Sequence, residues 1–312
     1  MKRWNIKYLS ISLLSILLAC ANKGEIIQKT DSYSWHISST SPKNSFTVYA
    51  FKIGPDGHLY ATGWDGTQRI FARLTDDRWQ ILAQVDETGI VDFTIFNDTI
   101  YYSNYNVLKK AKVVFLKQFL SVDFCGLEVY NENLILTGTP IEYNGNKYTI
   151  MSYDLEGKLT PIDSGLQSGT IKKLNNKLFI AGHPLKIYDG QTLSTLDYYG
   201  GFLNIDNSES IYTWVNIDSL TIRIRKFKDN NYQYVGNSIK SSCIINNLEL
   251  NGNTKVVCGV DVDTLISETF LLDSGNNWAS IETSFLVTDL INYNNKIFAA
   301  TNDGQIFELV KD

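Results

Sequence analysis

Four stretches decide the fold: VDFTIFNDTIYYS (residues 91–103), GLEVYNENLILTG (126–138), TIKKLNNKLFIAG (170–182) and TDLINYNNKIFAA (288–300). Each reads as a strand, a short polar turn usually holding Asn, and a second strand of apolar, aromatic and small residues. The turn slot two before the second strand's anchor holds Asp98, Glu132, Asn176 and Asn295. Asn and Asp tolerate the left-handed backbone that tight hairpin turns demand. Glu132 suits that slot less well. The unit is a β-hairpin.

Working outward, the second strand recurs through the chain. It stands as HLYATG (58–63), TIYYSN (99–104), NLILTG (133–138), KLFIAG (177–182), SIYTWV (210–215), TKVVCG (254–259) and KIFAAT (296–301). The mean step is about 40 residues, the length of a four-stranded propeller blade. A second hairpin follows in most units, as in RIFARLTDDRWQIL (69–82), RIRKFKDNNYQYV (223–235) and ETFLLDSGNNWASI (268–281). Two hairpins make one four-stranded antiparallel sheet. Such a sheet cannot bury both faces alone, whereas copies stacked around an axis can. The chain is therefore expected to be all-β, a β-propeller of about seven four-stranded antiparallel blades over residues 45–312. The last strand should close against an N-terminal one near Phe46–Phe51.

The N-terminus reads MKRWNIKYLSISLLSILLAC. Lys2, Arg3 and Lys7 precede an apolar run from Leu9 to Leu18, too short to span a bilayer and sized for a secretory leader. The run ends in Leu17-Leu18-Ala19-Cys20, which resembles the lipobox of bacterial lipoproteins. That resemblance implies a signal peptide over 1–19, diacylglyceration and acylation (palmitate-type chains) of Cys20, and a tether over 20–44, within which a first strand is expected around Ser34–Ile37. Several acyl chains on one cysteine anchor stably where one binds marginally. Ala21, where an Asp would favour inner-membrane retention, points to the outer membrane. The periplasmic and surface-exposed sides are both open.

A second resemblance is to the broad group of secreted propellers with sialidase-type, kelch-type and photosystem-assembly-type repeats. Residues 271–278, LLDSGNNW, are similar to the sialidase Asp-box, with Asp273, Gly275 and Trp278 in place and Leu271 where the family has Ser. In that family the box is structural: the Asp braces a turn and the Trp packs between strands.

Removing the leader's three positive charges from 28 leaves 25 basic against 33 acidic side chains, a net of −8. An acidic domain gains nothing from phosphate attraction, which argues against nucleic acid. Arg223, Arg225, Lys226 and Lys228 alternate with apolar residues and read as a strand's polar face. A sialidase would need three converging Arg, and the mature chain's five (Arg69, Arg73, Arg78, Arg223, Arg225) come from two blades. His36, His58 and His183 lack metal-ligand spacing, so no metal or cofactor is expected. Of the cysteines left after Cys20, Cys243 and Cys258 fall in adjacent expected strands. They read either as a disulfide or as two buried thiols, with Cys125 beside them.

Binding residues are expected on the loops joining strands two and three of each blade, because loops on a rigid scaffold are where contacts concentrate. The candidates are Trp64, Asp65, Arg69, Tyr105, Glu142, Tyr143, His183, Asp218 and Asp261. Trp64 is the first choice for a contact, against packing on its own Gly-rich turn. The favoured function is a non-catalytic, lipid-anchored envelope module that binds a protein or a glycan. The alternatives are a polysaccharide hydrolase or lyase and an assembly factor for an envelope complex.

Overall fold

The computed structural model describes residues 33–39, 46–86, 90–96, 99–104, 107–111, 124–154, 156, 158–164, 168–182, 184–196, 204–261, 264 and 266–312. The leader, Cys20, Tyr105 and His183 lie outside them, as do the side chains of Cys125, Glu142 and Tyr143. The described residues form seven antiparallel sheets. Six have four strands, and the sheet over Ile90–Ala111 has three among the described residues.

Each of the first six sheets is built from consecutive strands. Blades one to six cover residues 47–85, 90–111, 124–163, 168–196, 204–240 and 244–281. Blade seven takes Val287–Tyr293, Lys296–Thr301 and Ile306–Lys311, and adds Tyr33–Ile37 as its outermost strand. The pairing runs Tyr33↔Lys311 to Ile37↔Phe307, and the Ser38 amide donates to the Ile306 carbonyl at 2.8 Å. The closing strand is thus Tyr33–Ile37, not the segment at 46–51, which is the first strand of blade one. Tyr33–Ile37 coincides with the strand expected around Ser34–Ile37 within the tether stretch. Trp35 carries it onto the core, edge-on to Phe285, which stacks on Phe307 at 4.0 Å.

The innermost strands form a ring. Ile90–Phe96 touches Phe124–Tyr130, which touches Ser168–Leu174. Asn204–Ile205 touches Ile244–Asn251, which touches Val287–Tyr293, which touches Thr47–Ile53. Second strands sit mid-sheet with blades packed on both faces, so Leu59–Trp64 and Lys177–Gly182 are buried almost throughout. That is why they read as unbroken apolar runs rather than alternating ones. Fourth strands lie outermost, and Arg78–Val85 and Asn231–Lys240 are largely exposed.

Tight turns follow the expected chemistry. Asp76-Asp77, Asn131-Glu132, Asn175-Asn176, Asp229-Asn230 and Asn294-Asn295 all have positive φ at both positions. Two left-handed residues in a row are the signature of the hairpin turn that matches strand twist. Glu132 adopts it at φ 61° with flanking Asn131 at 47°.

Blades are stapled at their rims as well as packed. Trp278, in the outer strand of blade six, is 8% exposed, and its indole Nε1 donates to the Val235 carbonyl of blade five at 2.8 Å. Its backbone amide donates to Asn237 Oδ1 at 2.9 Å. Gly236, at φ +72°, lies under the indole; a Cβ there would stand 2.6 Å from Nε1. Asp273 closes the turn before Trp278 by accepting the Asn277 amide at 2.7 Å.

Candidate functional site

The described residues expected at the binding face all sit at connections between second and third strands. Their carboxylates are turn braces. Asp65 Oδ1 accepts the amides of Gln68 and Thr67 at 2.7 and 2.8 Å. Those amides hold its pKa down at about 2. Asp218 Oδ1 accepts the Leu220 amide at 2.9 Å, and Asp261 Oδ1 accepts the Thr264 amide at 2.7 Å. Arg69 lies over the Tyr49 ring at 5.0 Å, and Trp64 is half-buried.

Among polar turn residues the same face also exposes aliphatic side chains. In blade five's turn Ile217 is 53% and Leu220 61% exposed; in blade six Ile244 is 50% and Ile266 44% exposed. They are neighbours. The Ser241 amide donates to the Leu220 carbonyl at 3.1 Å, three residues before Ile244. Ile244 pairs with Val260, which pairs with Ser267, next to Ile266. The patch therefore runs across two adjacent blades and surrounds Asp218 and Asp261.

The ring of inner strands encloses a second feature that the sequence reading missed. It is a central cavity of about 1000 Å³ whose lining includes the strand-one-to-two turns at Gly54-Pro55, Asp206–Ser208 and Gly252. It opens on the face opposite the aliphatic patch. Equivalent positions on the inner strands supply Lys52, Thr94, Glu128, Lys172, Asn204, Glu249 and Ile291. Each pairs with the second residue of the neighbouring apolar run, as in Lys52↔Tyr60, Glu128↔Ile135 and Lys172↔Phe179. One repeat further from the turns stand Asp92 and Asp289.

These groups are wired across blades. Lys52 Nζ lies 3.7 Å from Asp92, 3.4 Å from Glu128 and 3.1 Å from the Leu127 carbonyl. Burial alone would lower the Lys52 pKa, but the two carboxylates raise it above its ordinary value. Lys172 Nζ donates to Asn204 Oδ1, and the Asn204 amide donates to Glu249 Oε1 at 3.1 Å. Asp92 and Asp289 each bridge two blades. Asp92 accepts the amides of Phe93 and Leu127 at 2.8 Å each. Asp289 accepts those of Leu290 at 2.9 Å and Phe51 at 2.7 Å.

Burial raises the pKa of Asp289 to about 7, with the charges of Glu249 and Asp92 adding to it against the two amides. Burial likewise raises Asp92 and Glu249, opposed by Lys52 and Lys172 respectively. Lys172 is lowered, chiefly by burial. An acid whose folded pKa exceeds its unfolded value of about 4 binds more protons when folded, so stability falls as pH rises through that window. Melting temperature is expected to fall between pH 5 and about 7 and then level off, the range set by Asp289. The fall should be shallower in Asp289→Asn. The braced turn acids, Asp65 and Asp189, titrate near 2 and act only below this window.

Cys243 and Cys258 are buried free thiols, so the disulfide reading is not realised in the structure. Cys258 Sγ faces the Thr269 hydroxyl at 3.2 Å, while Cys243 lies against Gly259. Burial pushes the two thiols up to about 12 and about 11 respectively, which makes both poor nucleophiles. No group of His, Cys, Asp and Glu suited to a metal occurs among the described residues. No Arg lines the cavity among them either.

Fold and site together define a β-propeller with a polar central cavity and an apolar patch on one loop face. No protein-family model matches the chain, and neither does any curated protein. Solved propellers match almost nine-tenths of its length at low identity. Virginiamycin B lyase from Staphylococcus aureus, crystallised with quinupristin, superposes with a TM-score of 0.57 at 12% identity, covering 89% of this chain and 99% of the lyase. YCF48 from Cyanidioschyzon merolae gives 0.59 at 8% identity, covering 88% and 98%. The Cps50 (Swd1) propeller domain of Myceliophteria thermophila gives 0.57 at 9%, covering 87% and 99%. At such identities the likeness concerns the fold alone.

Proposed function

We propose that this protein is a non-catalytic interaction module of the bacterial cell envelope, held at the membrane by lipidated Cys20, and that it binds a protein partner. The observation that carries this reading is the exposed cluster Ile217, Leu220, Ile244 and Ile266 on adjacent blades. Contiguous exposed aliphatic side chains mark association surfaces. Glycans are gripped mainly by aromatic faces and polar groups. Four aliphatic side chains clustered around the turn acids Asp218 and Asp261 therefore favour a protein over a glycan. The lipobox-like Leu17-Leu18-Ala19-Cys20 supports the anchor and the envelope location.

The test is affinity capture of the full-length lipoprotein from detergent-solubilised envelopes. Wild type is compared with Leu220→Asp/Ile266→Asp and with Ile81→Asp, which places a charge at an exposed position on blade one's outer strand. A partner recovered by wild type and Ile81→Asp, and reduced at least ~tenfold (about 1.4 kcal/mol) by the patch variant, is expected. Equal recovery by the patch variant would remove the patch from the interface. In the same cells Cys20→Ser should release the protein from the membrane fraction.

A further inference from the structure

The central cavity has an imbalance in how its charges are met. Lys52 sits between Asp92 and Glu128, and Lys172 is directed at Asn204 and Glu249. Asp289 has no cationic side chain within ion-pair distance among the described residues. Its two oxygens accept backbone amides, and the charges that bear on it are the carboxylates of Glu249 and Asp92. Deep in the wall formed by blades six and seven Asp289 therefore lacks a cation of its own, while the blade-six Lys255 lies toward the turn.

The cavity can admit what is missing. At about 1000 Å³ it has the size of a small-molecule pocket. By register Asp289 lies several residues in from the turn at Asn294-Asn295. Lys173 and Lys255 stand nearer the mouth, and Lys173 is engaged with the Val129 carbonyl and the Tyr130 ring. Between mouth and acid the cavity-facing positions are Glu249, Lys172, Asn204 and Ile291, while their strand neighbours Ile171, Ile205, Leu250 and Leu290 pack into the cores between blades. Two carboxylates inside a cavity of this size suit a small molecule with an ammonium end.

We propose that the central cavity is a binding site for a small primary amine, entered from the strand-one-to-two face, with the ammonium group seated by Asp289 and Glu249. An ammonium donates three hydrogen bonds and restores the charge that burial of Asp289 leaves unmet. This site is on the face opposite the aliphatic patch and does not depend on it.

The experiment is calorimetric titration of the whole mature protein with n-butylamine, and with n-butanol as the uncharged isostere. Butylamine should bind at one site and butanol should not. Binding should strengthen from pH 6 to pH 8, because the amine stays protonated while Asp289, facing Glu249, Asp92 and the Lys52 side of blade one, loses its proton. Asp289→Asn and Glu249→Gln should each weaken binding at least ~tenfold, and the pH effect should vanish in Asp289→Asn. Glu282→Gln, at an exposed position outside the cavity, should leave affinity unchanged. Melting curves run alongside show that each variant is folded. No binding of butylamine, equal binding of butanol, or unaltered affinity in both cavity variants would overturn the proposal. So would displacement of the amine by an equal concentration of calcium.

Discussion

Trp278→Ala is expected to lower the unfolding free energy by about 3–5 kcal/mol, the usual cost of deleting a buried indole from a packed core. The indole is 8% exposed and packs in a cluster with Val235, Leu248 and Phe270, so it joins the cores of blades five and six. Its loss opens a cavity and also orphans the Val235 carbonyl that accepts from Nε1. Leaving a buried acceptor unsatisfied adds a cost of about 1–3 kcal/mol. Trp278→Phe should retain much of the packing and lose chiefly the hydrogen bond. Urea unfolding followed by far-ultraviolet circular dichroism measures both. An alanine variant as stable as wild type would mean that the blades do not depend on this staple.

The second large effect is expected at Lys52. Its side chain is only 20% exposed and faces two carboxylates that are themselves 27% and 17% exposed. Lys52→Met fills similar space and removes the charge, so Asp92 and Glu128 are left facing each other in a partly desolvated cavity. Breaking such a set costs about 3–5 kcal/mol when fully buried, and the residual exposure places this one toward the lower end. The loss should be largest at pH 8 and shrink toward pH 4, because Asp92, whose pKa burial raises, no longer needs the cation once protonated. Replacing the whole set, as Lys52→Met/Asp92→Asn/Glu128→Gln, should recover part of the loss. A Lys52→Met penalty that is the same at both pH values would show that the ion pairs are not its origin.

The parts of the fold that were legible in the sequence are those where local and tertiary demands coincide. Second strands are covered on both faces, so Leu59–Trp64 and Lys177–Gly182 had to be continuous apolar runs. Turns such as Asn175-Asn176 need left-handed backbone, which narrows the residue choice. A strand around Ser34–Ile37 is legible in the sequence but its closing role is not, because Tyr33–Ile37 is only five residues long and follows a polar segment. Its pairing with Lys311–Phe307 is a contact across almost the whole chain, which no local pattern encodes.

The cavity was illegible for a related reason. Its ring uses one position per blade, about 40 residues apart, and fills it with Lys52, Thr94, Glu128, Lys172, Asn204, Glu249 and Ile291. Only the position repeats, not the residue. A usable signal did exist: a charged or amide side chain seven or eight residues before the apolar run's second residue, in a strand otherwise buried. On the opposite face the expected loops were the right place to look for the exposed patch. The acids on those loops, Asp65, Asp218 and Asp261, hold their own turns. The side chains left exposed beside Asp218 and Asp261 are Ile217, Leu220 and Ile266.

The central claim is that this aliphatic patch docks a protein in the envelope. Site-specific photo-crosslinking in living cells tests it most directly, with the photoreactive residue at Leu220, at Ile266 and, for comparison, at Ile81. The account predicts one and the same protein adduct from Leu220 and Ile266 and none from Ile81. No adduct from either patch position, or the same adduct from all three, would contradict it.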